Sequence, residues 1–161
     1  MKTRNALVSN SSSSSFIIIG RSPSDDLVNQ LKESVKNTIV IDDKGTTEFG
    51  WDNIKYDNFW DRLNFTMIQI MSPYWKIPEE YKNSDHYKLL QKVLKDVLDV
   101  DNIDNKLSYD YGNDDDTIYS YIDHQSNINE GRNGEMFNSE DDLKAFLFSN
   151  DSYIQGGNDN E

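Results

Sequence analysis

Apolar residues in this chain fall into short runs and stripes separated by polar turns. Residues 16–19 (Phe16-Ile17-Ile18-Ile19) form an unbroken apolar run closed by Gly20, which predicts a buried strand. Leu27, Leu31 and Val35 recur every four residues and predict a helix reaching about Asn37. Its entry reads as a Ser22 cap, Pro23 at the first helical position and Asp25 at the positive end of the dipole. Residues 38–41 are β-branched, and Asp43-Lys44-Gly45 is turn chemistry, so residues 46–51 are expected to return as a partner strand. Phe59, Trp60, Leu63, Met67 and Ile70 suit one helix face behind a cap at Asp57, and Pro73 and Pro78 break the pattern. The clearest helix follows Ser84. Tyr87, Leu90, Val93, Leu94, Val97 and Leu98 lie on one face, with Lys88, Lys92, Lys95 and Asp96 opposite.

Beyond residue 98 the pattern turns to alternation. Residues 106–111 and 117–122 predict a hairpin across Gly112-Asn113-Asp114-Asp115-Asp116, with Tyr109 and Tyr111 on one face of the first strand and Tyr119 and Tyr121 on one face of the second. A polar loop covers about 124–135. Ser139 then caps a short helix with Asp142 three residues on and Leu143, Phe146 and Leu147 inward; residues 152–155 are expected to close the fold as a strand. The order β-α-β-β-α-α-β-β-α-β mixes hairpins with helices. It predicts an α+β domain with a mixed or antiparallel sheet over residues 16–155, after a flexible Ser-rich arm (1–15) and before a tail (156–161).

Composition adds two constraints. Only 35% of the residues are hydrophobic, so the core must lean on the 12% that are aromatic. There is no cysteine, which excludes disulfides, thiolate catalysis and Cys-type zinc sites and favours a reducing compartment. The apolar run at 16–19 is too short for a signal segment or a membrane span. Charge changes the picture more. Before position 99 there are 13 basic and 13 acidic residues; from 99 onward there are 3 basic and 16 acidic, so this acidic C-terminal part carries the whole net charge of −13. Such a surface repels phosphates and anionic lipid, so direct nucleic-acid and membrane partners are disfavoured.

The stretch Arg4-Asn5-Ala6-Leu7-Val8-Ser9-Asn10-Ser11-Ser12-Ser13-Ser14-Ser15-Phe16-Ile17 resembles an N-terminal signature of small uncharacterised proteins from tailed phages and low-GC Gram-positive bacteria. Phe137-Asn138-Ser139-Glu140-Asp141-Asp142-Leu143 and Gly157-Asn158-Asp159-Asn160 are also similar to that group. The resemblance covers about a tenth of the chain at the N-terminus and brings no catalytic residues with it. It implies origin: a phage protein made in the host cytoplasm.

Candidate chemistry is sparse. Asp123-His124 sets an acid beside a histidine, but strand neighbours point to opposite faces and no nucleophile elbow accompanies them. Gly131-Arg132-Asn133-Gly134 and Gly156-Gly157 lack the rest of a phosphate loop. Asp99-Val100-Asp101-Asn102-Ile103-Asp104 and the 113–116 run offer hard-cation ligands, yet the first lacks the glycine and distal glutamate of a calcium loop. No cofactor or dedicated metal site is expected. The leading expectation is a non-enzymatic phage accessory protein that binds and inhibits a host nucleic-acid-handling protein. The partner would have a basic surface and meet an acidic, DNA-mimicking one. The expected surface comprises Asp110, Asp114, Asp115, Asp116, Asp123, Glu140, Asp141 and Asp142, with Tyr109, Tyr111, Tyr119 and Tyr121 as apolar anchors. The alternatives are a virion or assembly component docking through the arm (Val8, Ser11, Ser12, Ser13, Ser14, Ser15 and Phe16) and, more weakly, a metal-dependent enzyme on the Asp clusters.

Overall fold

Turns and caps divide the chain into eight strands and four α-helices among the residues described, which are 13–50, 52–109 and 117–158 of a computed structural model. In chain order they are β1 (Ser13–Ile18), α1 (Asp25–Ser34), β2 (Thr38–Ile41), β3 (Glu48–Phe49), β4 (Lys55–Tyr56) and α2 (Phe59–Met71). Then come α3 (Asp85–Leu98), β5 (Asn102–Asn105), β6 (Leu107–Tyr109), β7 (Ile118–Ile122), α4 (Glu140–Phe148) and β8 (Tyr153–Asn158). Short 3-10 helices fill the connections after α2 and β7. The strands make three small sheets: β1-β8-β4, antiparallel; β2-β5, parallel; and β3-β7-β6, parallel. The class is α+β in a single domain, as the element pattern predicts.

The helix caps follow the expected chemistry with two shifts. Ser84 and Ser139 accept from the N–H groups of Tyr87 and Asp142, as predicted. Helix α1 is capped by Ser24 rather than Ser22, and α2 by Asn58 rather than Asp57. In each case the residue nearer the first turn brings its side-chain oxygen to an unpaired N–H.

Both predicted hairpins are absent, for an identifiable reason. The turn at 43–45 forms, with the Asp42 carboxylate accepting from Lys44 N–H at 3.0 Å. But Asn64 of α2 donates its amide to the carbonyls of Asp42 (2.8 Å) and Thr46 (3.0 Å). A Cβ on Gly45 would stand 2.4 Å from the Trp60 carbonyl oxygen. The turn is thus pressed onto the helix, and its flanks separate: β2 pairs with β5, and β3 pairs with β7. Likewise β6 and β7 run parallel (Leu107↔Ile118, Tyr109↔Ser120), and β7 has parallel neighbours on both sides. Alternation is the same in either direction, so the sequence pattern does not distinguish them.

The arm and tail boundaries also move. Ser13 to Ser15 and Gly156 to Asn158 belong to one ladder, from Ser13↔Asn158 to Ile18↔Tyr153. Nor is β1 a buried strand: Phe16 and Ile18 are 53% and 39% exposed, while Ile17 and Ile19 pack against the core. It is an edge strand whose free edge is sealed by side chains. Asn133 accepts from Ile17 N–H at 3.2 Å and donates to the carbonyls of Ser15 and Ser126, each at 2.9 Å. One amide therefore stands where a further strand would pair, which protects the edge from another chain. Asn133 does so from a left-handed φ of 60°, a conformation asparagine tolerates.

Helix α2 lies at the centre, buried continuously from Asp61 to Met71. Phe49 meets Phe65 and Tyr56 edge-to-face at 5.0 Å, and Phe59 stacks on Phe148 at 5.4 Å. These rings are how a chain of modest apolar content fills its core. Arg62, 1% exposed, donates to the carbonyls of Phe146 and Ser149 at the C-terminal end of α4. Burial pushes its guanidinium down to about 10. Helix α4 has no basic residue in its own last turn, so α2 supplies the cation that its negative end calls for.

Candidate functional site

Among the described residues, Tyr109 of β6 and Tyr121 of β7 are brought together by the fold. Along β7, Ser120 and Ile122 face inward and Tyr119 and Tyr121 outward, as the alternation predicts; Tyr119 is 45% exposed. Tyr121 stacks against Tyr109 with ring centroids 6.0 Å apart and planes 24° from parallel. The pair forms across a parallel ladder rather than an antiparallel one.

Beside that pair is a cleft of about 210 Å³ lined by Ser72, Trp75, Tyr109, Tyr121, Asn127, Asn129 and Glu130. Its inner wall is fixed by hydrogen bonds. Ser72 Oγ and Asn129 N–H donate to Asn127 Oδ1 at 3.1 and 2.8 Å. Asn127 Nδ2 donates to the Tyr109 hydroxyl at 3.4 Å, and that hydroxyl donates to the Ile122 carbonyl at 3.2 Å. Behind it, Gln69 donates to Ser126 O and accepts from Ile128 N–H, tying the loop to α2. Trp75 (40% exposed) and Glu130 form the outer rim. A larger, more open hollow of about 530 Å³ between the ends of α1 and α3 is lined by Lys32, Val35, Lys36, Asn37, Leu98 and Asp99, without an aromatic ring.

The other expected residues disperse. Asp123 is 3% exposed, so it is no part of a surface; its Oδ1 lies where a Cβ on Gly50 would be, 2.3 Å away, and Gly50 sits at φ 119°. Glu140, Asp141 and Asp142 occupy the first turn of α4, where carboxylates complement the dipole, and only Asp141 is exposed. Glu140 also lies 3.8 Å from Lys92 of α3. Asp110, Tyr111, Asp114, Asp115 and Asp116 lie outside the described residues, as do Val8, Ser11 and Ser12. Ser15 is buried within β1.

Charge that is segregated along the chain is partly mixed in space. Lys95 reaches Asp99 and Asp101, both at 2.7 Å; these contacts hold its ammonium well above the usual lysine range and the Asp99 carboxyl below its own. Residues 99–104, read as a possible cation loop, are instead the left-handed cap of α3 followed by β5. Among the described residues no group of three acidic or histidine side chains is placed to hold a metal ion. His86 stacks on Phe137 at 4.1 Å, and burial lowers its pKa. Among the described residues, no helix is long and apolar enough to cross a membrane.

Sequence reasoning missed Ser72, Trp75, Asn127, Asn129 and Glu130. They come from two loops whose meeting depends on Gln69, and nothing in their local pattern announces it. No protein-family model, curated protein or solved structure matches the chain, and so no enzyme family is indicated.

Proposed function

We propose that this chain is a non-enzymatic phage accessory protein that binds a host nucleic-acid-handling protein with a basic surface and inhibits it. The observation that carries the reading is the outward tyrosine group of β6 and β7, which brackets Asp110, Asp114, Asp115 and Asp116 in the sequence. Aromatic anchors inside an acidic field suit a cationic partner: the rings bury area, and the charge steers encounter. Asp123 is buried and contributes nothing to this surface, and the reading centres on the β6–β7 end.

The test is affinity capture from host lysate, followed by association kinetics with the recovered partner from about 50 to 500 mM salt. Association should slow as salt rises, and Asp114, Asp115 and Asp116 changed together to Asn should slow it at low salt while the fold is kept. Binding indifferent both to salt and to the triple change would sink the reading.

A further inference from the structure

We infer that Asn133-Gly134 is a self-modification site gated by the fold. Spontaneous deamidation of Asn133 is blocked while its amide seals the edge of β1, and it proceeds once that edge opens. The inference is independent of what the chain binds.

Sequence chemistry comes first. Asparagine loses its side-chain amide most readily before glycine, because a residue without a Cβ lets its backbone nitrogen approach the preceding side chain. Asn133 is the one asparagine in the chain that glycine follows. In the reaction the Gly134 nitrogen bonds to Asn133 Cγ and gives up its proton. The Cγ–Nδ2 bond breaks, and Nδ2 leaves with that proton as ammonia. Water then opens the cyclic imide at either carbonyl, giving aspartate or its β-linked isomer; no oxidant or reductant enters the balance. The fold itself does not ask for glycine here. Gly134 has φ −84° and ψ −6°, which suit any residue, and a Cβ on it would meet nothing within 4 Å.

Folding withholds the reacting amide. Asn133 is 7% exposed, and its side chain is held at both ends: Oδ1 by Ile17 N–H, Nδ2 by the carbonyls of Ser15 and Ser126. Attack at Cγ requires the side chain to swing toward its own C-terminal neighbour, which breaks all three contacts. Two of them reach across the chain to β1, so they are lost together when β1 and the loop part. The product matters as much as the rate. A carboxylate has no donor for the Ser15 carbonyl and sets negative charge against Ser126 O, which keeps its bond from Gln69. The edge that Asn133 protects is then open to another strand, beside the exposed Phe16 and Ile18. A chain that stays open long enough to react is thereby marked and left unsealed.

The experiment uses the full chain, incubated in mildly alkaline buffer with and without denaturant, while peptide mass spectrometry follows amide loss at Asn133. Loss should be at least about tenfold slower in the folded chain. Gly134→Ala should keep the wild-type melting midpoint and slow the loss in denaturant. Asn133→Asp stands in for the aspartate product. In it, amide exchange at Ser15 and Ile17 should quicken by at least about tenfold more than at Leu94 in the core of α3. An Asn133→Asp chain that fails to fold while Gly134→Ala folds would show the same dependence on the amide in a stronger form. Equal rates of loss in folded and denatured wild type would overturn the gate. Exchange at Ser15 and Ile17 that is unmoved in Asn133→Asp would overturn the link from modification to an open edge.

Discussion

Helices α2 and α3 are nearly equal in length and opposite in design. Helix α3 is amphipathic: Tyr87, Leu90, Val93, Leu94 and Leu98 are buried, and its lysines reach Asp96, Asp99, Asp101 and Glu140 in solvent. Helix α2 has no solvent face from Asp61 to Met71, yet four polar residues in that stretch, Arg62, Asn64, Thr66 and Gln69, are each no more than 1% exposed. A central helix is surrounded by loop ends and helix ends whose carbonyls need donors. Its polar side chains supply them: Arg62 to α4, Asn64 to the turn at 43–45, and Gln69 to the loop after β7. Polarity marks exposure on one helix and connectivity on the other.

Substitutions can break that contrast in order of size. Arg62→Ala should be the most damaging, at roughly 4 kcal/mol in a denaturant melt, because it empties a buried volume and orphans two carbonyls. Arg62 behaving like a surface arginine, with no shift in the midpoint, would dissolve the distinction. Leu94→Ala should cost roughly 3 kcal/mol, since Leu94 is fully buried; a cost under half a kcal/mol would mean α3 does not pack as described. Gln69→Leu keeps the volume but strands Ile128 N–H and leaves Ser126 O with Asn133 as its donor, an expected loss of about 1–3 kcal/mol. It should also loosen the cleft wall, visible as faster amide exchange at Ile128. Lys92→Gln, on the exposed face of α3, should leave the melt unchanged.

A smaller effect than those of the core substitutions concerns pH. Stacking under Phe137 desolvates His86 and lowers its pKa, against the opposing pull of Asp85. The unfolded chain therefore takes up the proton first as pH falls. This residue's contribution is flat at neutral pH and turns destabilising as pH drops through the ordinary histidine value near 6.5. Comparing wild type with His86→Gln at pH 7.5 and pH 5 isolates it; the gap in stability between the two proteins should shift toward the variant at the lower pH.

The same contrast explains what was legible in the sequence. Helix α3 could be read almost residue by residue, because burial and apolarity coincide along it. On α2 the apolar residues Phe59, Leu63, Met67 and Ile70 were legible, but Asn64 and Gln69 look solvated until their distant acceptors are known. The caps at Ser84 and Ser139 are local and were readable. Strand direction was not, because Tyr119 and Tyr121 alternate identically whether β6 runs with β7 or against it. The tyrosine pair was foreseen from its face, while the cleft beside it joins residues from 72 to 130 and has no local signature.

The ladder between Ser13–Ile18 and Tyr153–Asn158 has a consequence for the order of events during synthesis. Strand β8 sits between β1 and β4, so the last strand described is the centre of its sheet. A ribosome moving at about 5–20 residues per second takes on the order of ten seconds to pass from one partner to the other. Throughout that interval β1 and β4 lack their common neighbour, and the emerging chain carries Phe16 and Ile18 on a strand with nothing to pair. Completion of this sheet is therefore a late event that waits on the residues around 153–158, and a nascent chain stalled before them would expose a sticky strand that the finished protein keeps sealed.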